Sequence, residues 1–236
     1  MRIVLILILL VGVLVPSFGQ IDKTIKKVTQ VVTKDGLTSD DVAKGLKAAL
    51  LKGVDTGTGQ ASQVDGFFKN PEIKIPFPED AQNVASALKK IGMDKAVKNF
   101  VLTLNRSAEQ AAGEAKPIFV AAIKEMTIDD AWSILNGQDK QGATNYLKKA
   151  TSDELTKKFT PIIEAALSST KATNYYADLI TAYNKLPAVQ KRNPDLTAYA
   201  TQKTMDGLFT LIGKEELKIR EDPAARTSDI LVKVFN

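Results

Sequence analysis

The amino-acid sequence predicts an all-α protein: a single-domain bundle of about nine to eleven helices with one long Pro/Phe-rich non-helical segment. Three observations support this class. Apolar residues recur every three or four positions through most of the chain, which places them on one face of a helix. Capping signals precede these stripes and glycines follow them. Strand-like alternation of apolar and polar residues covers only Glu72–Ile75 before two prolines end it.

The first 19 residues are predicted to form a secretory signal peptide. Arg2 precedes an unbroken apolar run over residues 3–15, and small residues follow at Ser17 and Gly19. Because this run is shorter than the roughly 20 residues that cross a bilayer, cleavage after Gly19 is favoured over a retained anchor. Residues 20–236 are then expected to form one exported helical domain, periplasmic or secreted, without an integral membrane span.

Helix positions follow from the apolar stripes and their flanking residues. The clearest stripes cover residues 42–50, 93–112, 155–167 and 196–212. Helix starts are predicted where a hydroxyl residue is followed three positions later by an acid: Thr38, Thr127 and Thr151. Asp222 before Pro223 predicts one more start. Glycines expected to end helices in the left-handed conformation are Gly53, Gly92 and Gly137.

The segment from Asp55 to Pro78 is predicted to be non-helical. Gly57 and Gly59 make its beginning flexible, whereas apolar residues dominate its end. A connection this long is usually functional or packed onto the core. The apolar residues expected to pack across the helices, or to cover or line a groove between them, include Phe67, Phe68, Ile75 and Phe77.

Composition excludes several function classes. The chain contains neither Cys nor His, so disulfides, thiolate nucleophiles, Ser-His-Asp triads and His- or Cys-ligated metal sites are excluded. No metal site and no cofactor are predicted, and any catalysis would use carboxylate, Lys, Tyr, Ser or Thr side chains. The net charge is +5, but the lysines are scattered without interleaved aromatic residues, so no nucleic-acid partner is expected.

Several short blocks, taken together, resemble a known family. They are Asp65-Gly-Phe-Phe68, Ile75-Pro-Phe-Pro78, Asn105-Arg106 with Ala108-Glu109, Lys116-Pro-Ile-Phe119, Met126-Thr-Ile-Asp-Asp-Ala131, Asp206-Gly-Leu-Phe209 and residues 215–235. In this order and spacing they resemble the bacterial "domain of unknown function 4197" family of exported proteins, over about Asp40 to Phe235. The resemblance implies a helical, envelope-located protein without an established activity.

Asn105, Arg106 and Glu109 form the first candidate ligand-binding group. Asn105 and Glu109 are four positions apart, so they share one helix face beside the apolar stripe. Polar groups in this position line a cleft in some proteins. The favoured interpretation is structural, because buried polar groups need partners in any fold, and an arginine or a helix end would provide one.

Arg220 and Arg226 form the second candidate group, in a charge-rich stretch near the C-terminus. Glu216 and Arg220 have the stabilising i, i+4 order. Arg226 follows Pro223 and is predicted to bridge either Asp206 or Glu216. An ion-pair network is favoured over the alternative, in which the two arginines hold an anionic ligand.

The sequence favours a non-catalytic exported binding or scaffold protein. Its candidate partners are a lipid or other hydrophobic small molecule, or a protein of the envelope, because apolar residues dominate the end of the non-helical segment. One alternative is an enzyme that uses carboxylates and arginine, such as Glu109 with Arg106 and Arg220. Another is an envelope module that binds other proteins through an exposed helix face.

Overall fold

A computed structural model describes residues 38–78, 81–190 and 195–235. Within these residues the protein contains nine α-helices, a 3-10 helix and no strand, which confirms the all-α class. The predicted signal peptide lies outside the described residues. In chain order the helices are α1 (Ser39–Ala61), α2 (Gln82–Lys90), α3 (Asp94–Ala112), α4 (Ala115–Glu125), α5 (Ile128–Asn136), α6 (Gly142–Ser169), α7 (Ala172–Asn184), α8 (Leu196–Glu221), the 3-10 helix Pro223–Ala225, and α9 (Asp229–Phe235).

Helix α8 lies at the centre of the packing. It packs most extensively along α1, and it also contacts α3 and α6. Helix α3 contacts α2, α6 and α7, while α5 and α9 pack on α1. One large cluster of buried apolar side chains joins these helices, and a small second cluster lies where α1, the end of α8 and α9 meet. Within the described ranges, no helix has the length and hydropathy that a membrane crossing needs.

The crossing of α1 and α8 corrects the predicted beginning of the non-helical segment. Helix α1 continues through Gly53 and Gly57 to Ala61, so Gly53 does not end a helix and residues 55–61 are helical. A Cβ atom at Gly57 would lie only 3.2 Å from the Cβ atom of Leu211 on α8. The glycines therefore allow the two helices to pack closely, and that packing offsets their poor helix propensity.

Two of the three predicted capping boxes are confirmed. The hydroxyl of Thr38 accepts a hydrogen bond from the backbone N–H of Asp41, and Thr127 does the same for Asp130. The start predicted at Thr151 is wrong, because this residue lies inside α6 and its hydroxyl donates to the Leu147 carbonyl.

The predicted glycine stops also differ in outcome. Gly92 follows α2 with φ +84°, the left-handed conformation that was expected. Gly137 ends α5, but its φ of −70° and ψ of 155° are extended, so the left-handed expectation is wrong there. Asp222 accepts a hydrogen bond from the Ala224 N–H and begins the single turn Pro223–Ala225, and not a long helix.

Residues 62–78, called the strap below, connect α1 to the region before α2 without α-helix or strand. Ile73, Ile75 and Phe77 are buried, whereas the intervening Lys74 and Pro76 are exposed. This alternation is the one that extended backbone produces when one of its sides packs on a core. The strap therefore contributes side chains to the core between the helices.

Candidate functional site

The strap is held on α3 by the side chain of Asn105. Its Oδ1 accepts a hydrogen bond from the backbone N–H of Ile75 at 2.8 Å, and its Nδ2 donates to the Ile75 carbonyl at 2.8 Å. The same Nδ2 donates to the Val101 carbonyl within the helix. Asn105 is fully buried, so its amide satisfies strap backbone groups that would otherwise lie in the core without partners.

One helical turn further along α3, Glu109 holds the preceding part of the strap. Its Oε1 accepts hydrogen bonds from the backbone N–H groups of Phe67 at 3.1 Å and Phe68 at 3.0 Å. Its Oε2 accepts from the guanidinium of Arg106 at 2.5 Å. Both oxygens of this buried carboxylate are thus engaged by donors of the protein itself.

Arg106 connects Glu109 to the strap residue Asp65. A second guanidinium nitrogen of Arg106 donates to Oδ1 of Asp65 at 2.6 Å, and Lys69 pairs with Oδ2 at 2.8 Å. Hydrogen bonds from Lys69 and Arg106 lower the pKa of Asp65 below its usual range. The hydrogen bond to Glu109, and then the one to Asp65, raise the pKa of Arg106 above its usual range.

The first candidate group and the apolar residues of the strap lie together, and their contacts hold the strap on α3. Phe67 and Ile75 are fully buried beneath the bonds described above, and Phe77 packs edge-on against Phe100 with 5.1 Å between ring centroids. These three side chains fill the core, the first of the two predicted alternatives, and Phe67 and Phe77 line none of the clefts described below. Phe68 stays half-exposed, with the ammonium of Lys74 4.3 Å from its ring centroid.

Glu216 organises a separate cluster at the end of α8. It accepts hydrogen bonds from the backbone N–H groups of Ala143 at 3.1 Å and Thr144 at 2.8 Å, the first turn of α6. Arg220 donates to the same carboxylate from two nitrogens, at 3.0 and 2.9 Å. The buried carboxylate therefore caps α6, whose positive N-terminal end favours a negative charge.

Arg226 has a different role from the predicted bridge. Its Nε donates to the Ile219 carbonyl at 3.0 Å and its NH2 group to the Arg220 carbonyl at 2.9 Å, so it satisfies carbonyls at the end of α8. Glu216 pairs with Arg220, and Asp206 pairs with Lys148. The expectation that Arg226 bridges Asp206 or Glu216 is therefore wrong.

Sequence reasoning missed a polar concave surface beside α8. Three clefts of about 390, 180 and 490 Å³ share lining residues and together form what is called the α8 groove below. The first lies between α6 and α8, the second between α8 and the strap, and the third between the strap and the end of α1. The residues that line two of the three clefts are Glu72, Asp206, Thr210 and Lys214.

The α8 groove carries more positive than negative side chains. Its lining includes five lysines and three acids: Lys69, Lys74, Lys148, Lys203 and Lys214, with Asp65, Glu72 and Asp206. Each acid pairs with a lysine across the groove or along the strap, as in Lys148–Asp206 at 3.1 Å and Lys214–Glu72 at 2.5 Å. The steps of three, four and four positions between Lys203, Asp206, Thr210 and Lys214 were a sequence signal for this polar face.

The arrangement is suited to binding by charge and hydrogen bonding. In the described part of the chain, acidic side chains do not gather in groups of three or more that could hold a metal ion. None of the three clefts is lined by Glu109, Arg106 or Arg220, the residues of the enzyme alternative. The clefts instead present amide, hydroxyl, ammonium and carboxylate groups from three elements.

The model of the DUF4197 family, described as "Protein of unknown function", matches residues 36–236. The match covers most of the chain and all of the elements above, so the protein belongs to this family. Comparison with curated proteins and with solved structures finds no match. The family assignment confirms the resemblance found in the sequence, and it assigns no activity.

Proposed function

We propose that this DUF4197 protein is an exported, non-catalytic binding or scaffold protein of the bacterial envelope, which binds a polar ligand or a partner segment in the α8 groove. The observation that carries the proposal is the groove itself, in which Glu72, Asp206, Thr210 and Lys214 each line two of the three clefts. Concave surfaces with convergent polar groups are the usual place for ligands. The groove residues are exposed or half-buried for the most part, so they are accessible without unfolding.

A polar ligand is favoured over the hydrophobic one that the Phe-rich segment suggested. Phe67, Ile75 and Phe77 lie in the core, where they are at most 5% exposed. The large apolar side chains that stay exposed among the described residues lie on six different elements or connections: Leu51, Val64, Ile91, Ile128, Tyr175 and Val232. No single helix in the described ranges therefore presents a continuous face of exposed large apolar side chains to a lipid or a protein partner.

The carboxylate/arginine enzyme has less support than a binding protein. A general acid or base must reach a substrate, and both oxygens of Glu109 are already bonded to Phe67, Phe68 and Arg106. Glu216 is engaged in the same way, by the first turn of α6 and by Arg220. These carboxylates serve the fold, which leaves the exposed groove for recognition.

Export rests on the N-terminal sequence, whose basic start, apolar run over residues 3–15 and small residues at 17 and 19 are typical of a signal peptide. Expression of the full chain in a bacterium, followed by fractionation and intact mass measurement, tests it. We expect a mature species that begins at Gln20 in the periplasmic or extracellular fraction. A full-length species that stays in the membrane fraction would contradict export.

Backbone amide NMR of the mature protein tests the groove as a binding site. Panels of amino acids, short peptides, sugars and phosphates are titrated, and shift changes are expected at Asn145, Thr210 and Lys214. Replacement of the exposed Thr210 by Trp should obstruct two of the three clefts and remove these changes. Ligand-induced changes confined to other surfaces, or changes that persist in Thr210→Trp, would refute the groove as the binding site.

A further inference from the structure

We propose that the ligand of the α8 groove is an extended acidic peptide segment, an inference that rests on the proposed function and names its ligand class. The groove presents five lysines and three carboxylates, so its lining attracts anions. Among the described contacts, Lys74 interacts with the Phe68 ring and with no carboxylate. The groove therefore has positive charge beyond what its own acids neutralise.

The groove is long enough for several residues of extended chain. Lys203 and Lys214 are the first and the last residues of α8 that line the groove, and they are eleven positions apart. At a rise of 1.5 Å per helical residue, this separation is about 16 Å. An extended peptide advances about 3.3 Å per residue, so about five residues fit along the groove.

The polar side chains of the groove suit a peptide better than a polymer that carries only anionic acceptors. Gln141, Asn145 and Asn70 supply amides that bond to peptide N–H and C=O groups alike. Glu72 and Asp206 accept hydrogen bonds from peptide N–H groups, donors that a polyphosphate chain does not have. Phe209, the aromatic residue that lines the first cleft, is 4% exposed and offers no stacking surface to a sugar ring.

Two lysines of the groove, Lys148 and Lys214, form ion pairs without being buried. Lys148 and Lys214 pair with Asp206 and Glu72, yet each lysine side chain is about half exposed, 48% and 53%. Exposed pairs of this kind are weak, so an incoming carboxylate competes for the ammonium group at little cost. The released Asp206 and Glu72 are then available to the N–H groups of the same peptide.

Fluorescence anisotropy with a labelled oligoglutamate of about ten residues, longer than the groove, tests the ligand class. The mature protein should bind it at about 50 mM salt and more weakly at about 300 mM, because salt screens exposed charges. Lys148→Gln should weaken binding about threefold or more, and Asp206→Asn should strengthen it by a similar factor, because it frees Lys148. Lys98→Gln, which removes an equally charged exposed residue outside the groove, should leave binding unchanged.

Further probes separate failure of this inference from failure of the proposed function. If inorganic polyphosphate binds more tightly than oligoglutamate and Thr210→Trp abolishes that binding, the peptide assignment is overturned while the groove stands. The same holds if neutral peptides or sugars perturb Asn145 and Lys214 and oligoglutamate does not. If oligoglutamate binds but Lys148→Gln and Lys98→Gln weaken it equally, binding is nonspecific and the inference fails. Equal binding to Thr210→Trp and wild type refutes the groove for this ligand.

Discussion

Asn105 pairs with Ile75 as a neighbouring strand would, although no strand is present among the described residues. The amide of Asn105 accepts from the Ile75 N–H and donates to the Ile75 C=O, both at 2.8 Å, from a helix that lies beneath the strap. One turn later on α3, Glu109 accepts the N–H groups of Phe67 and Phe68. A non-helical segment is thereby buried in a helical protein without leaving these backbone groups unsatisfied.

Replacement of Asn105 by Ala is expected to lower the free energy of unfolding by about 2–4 kcal/mol, because it leaves a buried N–H and a buried C=O of Ile75 without their partner. Urea unfolding followed by circular dichroism measures the change. Asn174→Ala, at an exposed position of α7, is the matched control and should change stability little. Equal small effects in both variants would show that the paired bonds do not hold the strap.

Glu109 variants separate the backbone bonds from the ion pair. Glu109→Gln keeps an acceptor for Phe67 and Phe68 but loses the charge opposite Arg106, so a loss of about 1–2 kcal/mol is expected. Glu109→Ala also leaves the two backbone N–H groups without an acceptor, so the free energy of unfolding is expected to fall by about 3 kcal/mol. Denaturant titration gives both values, with the exposed Glu164→Ala as control. Identical losses for Gln and Ala would mean that the ion pair alone matters.

The shared face of Asn105 and Glu109 was predictable, because positions four apart align on a helix. Their burial beside an apolar stripe was also predictable, and so was the packing of the Phe-rich segment on the core. The identity of their partners was not, because backbone groups 30 and 42 positions away leave no mark in the sequence. The α8 groove was missed because its clefts form where α6, α8 and the strap meet, and one-dimensional spacing shows only the α8 face.

Helix boundaries show the same division between local and tertiary information. Thr38 and Thr127 cap the helices that follow them directly, so these helix starts could be predicted from the local sequence. The start of α6 could not be predicted in this way, because its cap is supplied by Glu216, 72 positions beyond Thr144. The local capping pattern at Thr151 wrongly indicated a start inside this helix. Gly53 likewise indicates the end of a helix when only the local sequence is considered. In the structure it lies in the close crossing of α1 and α8, where an added Cβ atom would be 3.3 Å from the Ile212 carbonyl oxygen.

Gly207 is predicted to be intolerant of a side chain. A Cβ atom there would lie 2.7 Å from Cε1 of the fully buried Phe67 ring and 3.2 Å from Cβ of Ile73, so the strap or the ring must shift. We expect Gly207→Ala to destabilise the protein by about 1–3 kcal/mol in thermal or urea unfolding. The gain in helix propensity offsets little of this cost.

The partner variant Phe67→Leu checks the cause. If the clash is the origin, Gly207→Ala should cost less in the Phe67→Leu background than in the wild type, since residues in contact are not additive. An unchanged cost in both backgrounds would place the effect elsewhere on α8. Gly59→Ala, where an added Cβ meets nothing within 4 Å, is the control and should be neutral or stabilising.

Tyr146 provides a pH-dependent test of the contact between α5 and α6. Its hydroxyl donates to Oδ2 of Asp130 at 2.8 Å. The hydrogen bond from the Thr127 hydroxyl, and then the one from Tyr146, lower the pKa of Asp130. Burial first, and then the hydrogen bond to Asp130, raise the pKa of Tyr146 to about 12. The folded protein thus holds the phenolic proton more tightly than the unfolded chain, whose tyrosines titrate near pH 10.

The sign of the effect follows from this difference. The stability that Tyr146 contributes is fully present below about pH 10 and is lost as pH rises towards 12. Tyr146→Phe should therefore be less stable than wild type by about 1 kcal/mol at neutral pH, and the gap should close above about pH 10. Urea unfolding of both proteins across this range measures the gap. A gap that stays constant to pH 12, or one that widens, would contradict the raised pKa.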